Sequence, residues 1–313
     1  MKAVIFGATG AIGMALAEKC IQNGVEVTAL VRSGSDRLHR LKELEGVEVV
    51  EAGLEDVGPN RDRIAAAIGE ANIFFHLAWA GTIGDGRNDM RLQNRNVTYT
   101  LDAVELASAI GCKVFVGAGS QAEYGRVSGM LKDDTPVNPE NGYGIAKLCA
   151  GNMSRIRCRQ LGMTHIWTRI LSVYGPYDGE KTMIISTIRQ LLEGKKPKFT
   201  PGEQIWDYIY SADAAEAMLS LGRNALNNSG MNGRIYPIGS GHGRPLREYI
   251  EELRDAIDPD LELGLGDIPY GENQVMYLVA DTTDLEKDTG FRSTTPFRKG
   301  ISATIQWCRS GCR

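Results

Sequence analysis

No stretch of this 313-residue sequence stays apolar for the ~18 residues that a membrane-crossing helix requires, so no transmembrane span is expected. The opening apolar stretch, Lys2-Ala3-Val4-Ile5-Phe6-Gly7, is too short for a secretory leader, and a cytoplasmic location is the expectation. Basic runs are missing as well. With a formal net charge of −4, neither a nucleic acid nor a membrane surface finds electrostatic support as a partner. There is no internal repeat and no low-complexity tract. Cysteine is sparse and scattered (Cys20, Cys112, Cys149, Cys158, Cys308, Cys312), a usage that reads as reduced thiols rather than a disulfide framework. Cys308 and Cys312 lie four apart, but no His or Cys flanks them, so no metal site is expected.

What is present is an ordinary globular composition, 42% hydrophobic and 24% charged, long enough for one large or two interleaved domains. Short apolar runs alternate with helical patterns. Strands are predicted at Lys2–Phe6, Val25–Val31, Val47–Glu51, Ile73–Ala78, Lys113–Ala118 and Thr164–Leu171. Helices are predicted at Ala11–Asn23, Asp36–Leu44, Ile64–Glu70, Arg91–Ile110, from Tyr143 to about Gln160, at Met183–Glu193 and at Ala212–Leu221. A further strand is expected over Ile205–Tyr210, and from Gly230 onward the elements read as shorter and less regular. Near-continuous apolar strands separated by helices indicate a parallel sheet covered on both faces.

Gly7-Ala8-Thr9-Gly10-Ala11-Ile12-Gly13 joins the first strand to the first helix. Glycine allows the tight turn and close approach of backbone to a pyrophosphate, and the helix N-terminus offers unpaired N–H groups. The fold class is therefore α/β: a Rossmann-type doubly wound parallel sheet over residues 1–171, to which 205–240 returns. A smaller, mixed α/β substrate-binding region is expected from 172–204 and 241–313. After the second strand stands Val31-Arg32-Ser33-Gly34-Ser35-Asp36-Arg37, without the acidic residue that would hold the ribose hydroxyl of NAD at the strand end. Arg32, helped by Arg37 and the two serines, suits a 2′-phosphate and favours NADP over NAD; Asp36 keeps NAD open.

Tyr143 and Lys147 are four apart at the start of a predicted helix and share one face, where an ammonium lowers the pKa of a phenol. The same spacing recurs at Tyr177 and Lys181, but Pro176 and Gly179 put that copy in a loop, and it reads as a chance match. Ser120 lies at the C-terminal end of the fifth strand, where open α/β sheets bind ligands.

With these residues in hand the sequence resembles the extended branch of the short-chain dehydrogenase/reductase family, above all its nucleotide-sugar epimerases, dehydratases and 4-ketoreductases. The resemblance covers nearly the whole chain. It is carried by the glycine turn, His76-Leu77-Ala78, Ser120 with Tyr124-Gly125, Tyr143/Lys147, Arg169, Val173-Tyr174-Gly175-Pro176 and Trp206-Asp207-Tyr208-Ile209-Tyr210-Ser211-Ala212-Asp213. It implies that Tyr143 moves the proton, that Lys147 lowers its pKa and binds the nicotinamide ribose, and that Ser120 orients the reacting oxygen. Leu54, Leu77, Ala78, Trp79, Asn96, Ala118 and Val173 would join the glycine turn and Arg32 around the cofactor. Trp79, Ser120, Gln121, Ser172, Gln204 and Asp207 would face a nucleotide sugar. Departures from the family pattern are Gly53-Leu54 in place of an Asp near adenine, Ser172 in place of Asn, and Trp79 in place of a smaller residue.

The dehydratases of the family carry an Asp-Glu pair after the serine position; here Gln121 and Ala122 stand there, which argues against 4,6-dehydration. The reaction expected is NADPH-dependent reduction of a nucleotide-linked 4-keto-6-deoxysugar, as in paratose and abequose synthases, with a 4-epimerase as the alternative. A non-catalytic dinucleotide sensor is a third reading, opposed by Ser120, Tyr143 and Lys147. The resemblance also implies a homodimer through the helices 91–110 and 143–160, whose Leu101, Val104, Leu106 and Ile110 fit a dimer seam or an intramolecular core.

Overall fold

A computed structural model describes residues 1–311; Cys312 lies outside the described residues. The first six strands form within two residues of the predicted bounds: β1 (Lys2–Phe6), β2 (Glu26–Val31), β3 (Val47–Glu51), β4 (Ile73–His76), β5 (Val114–Ser120) and β6 (Thr164–Ile170). All pair in parallel, in the order β3-β2-β1-β4-β5-β6. The order reverses between β1 and β4, the crevice where doubly wound sheets bind their ligands. The connections carry α1 (Ala11–Gln22), α2 (Leu38–Leu41), α3 (Leu54–Val57), α4 (Arg61–Ile68), α5 (Met90–Ala109) and α6 (Gly142–Gln160).

The near-continuous apolar strands are explained by burial on both faces. Ala3 and Ile5 of β1 join α1 and the helix Ser211–Ala225 in one core cluster, while Val4 and Phe6 join α4 and α5 in another. Val104, Leu106 and Ile110 belong to this second, intramolecular core, so they are not a dimer seam. Asp89 caps α5 by accepting from the N–H groups of Arg91 and Leu92, and Asn141 caps α6 through Gly144 N at 2.9 Å. These caps fix where the two long helices begin, and α6 begins one residue before Tyr143.

The structure differs most from the sequence reading in four places. The helix expected over Asp36–Leu44 shrinks to α2. The strand expected over Ile205–Tyr210 is two, Ile205–Trp206 and Tyr208–Tyr210, serving different sheets on either side of Asp207. A seventh parallel strand, Arg234–Ile238, adds beside β6, and its Pro237 is tolerated because the strand is at the sheet edge. The C-terminal stretch holds two regular helices, Leu246–Ile257 and Phe297–Arg309, which share an apolar cluster with Tyr174, Ile184 and Ile188. Among the described residues no helix is long and apolar enough to cross a membrane.

Candidate active site

The glycine turn separates into two positions that the fold demands and one that it does not. Gly7 has φ +97°, and a Cβ there would come 2.7 Å from Ala78 N; a Cβ on Gly13 would run into the Gly7 carbonyl oxygen. These two let β1, β4 and α1 close on one another. A Cβ on Gly10 would meet nothing within 4 Å, and its backbone is extended, so packing does not explain that glycine. Gly10 is the N-cap of α1, which has no side-chain cap and no acidic residue in its first turn. Its free N–H groups therefore face open space, as an anion site requires.

Around this turn run two adjoining clefts. One, of about 600 Å³, is lined by Gly7, Thr9, Gly10, Arg32, Asp36, Arg37, Gly53, Leu54, Glu55, Leu77, Ala78 and Trp79. The other, of about 340 Å³, is lined by Gly7, Gly10–Gly13, Trp79, Thr82, Ala118, Ser120, Tyr143, Lys147, Leu171, Val173 and Asp178. Trp79 borders both, with its indole N–H donated to Gln93 Oε1 at 2.9 Å. The structure thus brings together most of the residues that the sequence singled out.

Tyr143 and Lys147 are buried, and burial pushes the two in opposite directions. Burial raises the Tyr143 phenol above its ordinary value, while the Ser120 hydroxyl and the Arg87 guanidinium pull it down. Burial lowers Lys147 to about 7, with the Glu123 carboxylate opposing. The Lys147 ammonium donates to the Ala118 carbonyl and lies 3.8 Å from the Trp79 ring centroid. His76, at the end of β4, is not an acid–base candidate: burial pulls it down to about 3 and keeps the ring neutral.

Glu123, three residues past Ser120, is fully buried and accepts from Ser120 N at 2.8 Å, Trp167 Nε1 at 3.1 Å and Arg169 Nε at 3.0 Å. It anchors the serine segment to β6, and its burial behind these three donors keeps it away from a substrate.

Several expected ligands have structural work instead. Asp207 is 0% exposed and accepts from Ser240 N, Gly241 N and Ala280 N at 2.8–3.1 Å, so it ties chain segments together rather than facing a sugar. Gln204 is buried and accepts from the Tyr270 hydroxyl at 3.1 Å, and Ser172 accepts from Trp206 Nε1 at 2.8 Å. Asn96 closes on Ala80 N and O and on Gln93, which positions the loop after β4 without touching the cleft itself. Ala8 is turned into the core, and Gln121 does not line either cleft.

Tyr177 of the second Tyr/Lys pair lies outside any helix, and its hydroxyl donates to Glu43. It is the one non-glycine residue with positive φ, +65°, among the described residues. This left-handed turn presents Asp178, which sequence reasoning missed, to the cleft. Burial raises the Asp178 carboxyl above the usual range, and Gly179 N donates to it at 2.7 Å.

The sequence model of the NAD dependent epimerase/dehydratase family matches residues 3–239. A CDP-abequose synthase of Salmonella typhimurium is 24% identical over 97% of this chain and 97% of its own length. A dTDP-glucose 4,6-dehydratase of Streptomyces griseus is also 24% identical, over 68% of this chain and 63% of its own. Among solved structures, a UDP-glucose 4-epimerase from Thermotoga maritima with UDP-glucose superposes over all of both chains with a TM-score of 0.86 at 23% identity, a likeness of fold.

Proposed function

Because the chain belongs to the NAD dependent epimerase/dehydratase family, we propose that it reduces a nucleotide-linked 4-keto-6-deoxysugar with NADPH. One observation carries the choice: Arg32 and Arg37 both line the cleft at the tip of β2, where a 2′-phosphate would be neutralised. The glycine turn fits a dinucleotide, since Gly10 leaves the α1 N-terminus open where packing would have admitted a side chain. A dinucleotide held by the glycine turn and Arg32 would supply hydride for C4 of the sugar. The chain's own residues do the rest: Ser120 holds the carbonyl oxygen, Tyr143 protonates it, and Lys147 favours the phenolate and would hold the nicotinamide ribose. Dehydration is disfavoured because Gln121 and Ala122 carry no carboxyl and Glu123 is fully engaged.

Asp36 and Glu55 line the same end of the cleft as Arg32 and supply the acidic partners that NAD requires, which favours a 4-epimerase as the second reading. Calorimetry separates the two. The wild-type protein is expected to bind NADPH at least about tenfold tighter than NADH, and Arg32→Ala to erase that preference. Gly10→Ala is expected to weaken both dinucleotides alike with an unchanged melting temperature, because its Cβ clashes with no protein atom. A wild-type preference for NADH makes the epimerase the leading reading.

The homodimer belongs to the same proposal. The outer face of α6 carries exposed Ile145, Met153 and Ile156 with Cys149, an apolar stripe suited to a second copy. Sedimentation is expected to show a dimer at micromolar concentration, and a monomer there removes the claim.

A further inference from the structure

Two cations lie near the Tyr143 ring, and they are held differently. Lys147 Nζ is 5.8 Å from the ring centroid, turned to the Ala118 carbonyl and covered by Trp79. The guanidinium carbon of Arg87 is 4.4 Å from the same centroid. Arg87 comes from the short turn Gly84–Asn88, outside the sheet and outside every motif that the sequence singled out.

That turn is seated on the first turn of α6, which carries Tyr143. Asn88 Oδ1 accepts from Gly142 N at 3.0 Å, and Arg87 donates to the Thr82 carbonyl at 3.1 Å. Buried Gln93 of α5 donates to the carbonyls of Gly81 and Gly86 at 2.9 and 2.7 Å. Gly142 itself has no space for a side chain: a Cβ would lie 2.8 Å from Met90 Sδ and 3.0 Å from the Arg87 carbonyl oxygen. The guanidinium is therefore delivered to the ring by a braced turn.

We propose that Arg87 is a positioning residue for the proton transfer, its guanidinium held on the face of the Tyr143 ring so that it favours the phenolate independently of Lys147. The proposal rests on the reading of Tyr143 as the group that moves the proton. A cation over an aromatic face is attracted to its π-electrons, and the attraction grows when the phenol becomes phenolate. Arginine does not lose its proton in proteins, so its contribution persists where desolvated Lys147, lowered to about 7, has become neutral. The other groups facing the ring are Ser120, which pulls the phenol down, and Glu123, which pushes it up. The Trp79 indole meets it edge-on at 6.1 Å.

The test is 19F NMR on the full cofactor-free chain with 3,5-difluorotyrosine placed at position 143, which confines the fluorine signals to that ring and brings the phenol into an accessible pH range. Arg87→Gln is expected to raise its titration midpoint by about one pH unit, and Arg87→Lys, which keeps a charge, by less than half as much. An unmoved midpoint in Arg87→Gln overturns the proposal. So does Arg87→Lys moving as far as Arg87→Gln, because the effect is then packing and not charge. No sugar substrate enters this experiment, so an error in the assigned reaction leaves its answer readable. If the assigned reaction is right, the pH profile of kcat/KM in the alcohol-oxidising direction shifts with the NMR midpoint.

Discussion

Tyr143→Phe is expected to lower turnover about a thousandfold while leaving the fold and dinucleotide affinity in place. The substitution removes one oxygen and keeps the ring that packs edge-on against Trp79 and lies under Arg87. Its effect is therefore confined to the proton. Ser120 still holds a carbonyl oxygen and Lys147 is still charged at acidic pH, but the Lys147 ammonium is turned to the Ala118 carbonyl and away from the oxygen to be protonated. Single-turnover kinetics with the preferred dinucleotide check this, alongside calorimetry to show that binding survives. A fully active Tyr143→Phe protein removes Tyr143 from the mechanism and, with it, the proposed reaction chemistry.

Arg169→Met is expected to cost about 3–5 kcal/mol of stability. Arg169 is 3% exposed and Glu123 0%, so loss of the guanidinium leaves a carboxylate inside the protein without its counter-charge. Arg169 also lies 4.5 Å from the Tyr124 ring centroid, a contact that methionine replaces only in part. In the double variant Glu123→Gln/Arg169→Met the amide oxygen still accepts from Ser120 N and Trp167, and no charge is stranded. Urea unfolding of the three proteins is expected to show the double variant recovering at least half of the loss. If the single variant is as stable as wild type, the pair is not the anchor of the serine segment.

The sheet was legible because each of its central strands needs two apolar faces, a demand written into five or six consecutive residues. The glycine turn was legible for the same local reason, at Gly7 and Gly13, where the chain has no space for a Cβ. Ser120, Tyr143 and Lys147 were singled out from spacing plus the ends of β5 and α6, and the structure brings them to one cleft. Asp207 and Gln204 misled because a polar residue inside a family-like motif reads alike whether it faces a ligand or a distant backbone. What decides for Asp207 is Ala280, 73 residues on, and no local pattern carries that. Pro237 disguised the seventh strand, since only an edge position makes it compatible with a sheet. Arg87 gave no signal at all: its meaning comes from the cap of one helix meeting the loop before another.

Asp207 and its neighbour in the chain, Asp213, have a consequence for the order in which the molecule is made. Asp207 waits for the N–H groups of 240, 241 and 280; Asp213 waits for Thr294 N and Thr295 N and the hydroxyls of Ser293 and Thr295. On a ribosome, each of the strands β2 to β6 emerges with one pairing partner already synthesised. The two carboxylates emerge without theirs, and buried early they would be charges without partners. Satisfying both carboxylates therefore requires the chain through residue 295. A chain that stops at residue 292 still satisfies Asp207 but leaves Asp213 without the four donors of Ser293, Thr294 and Thr295.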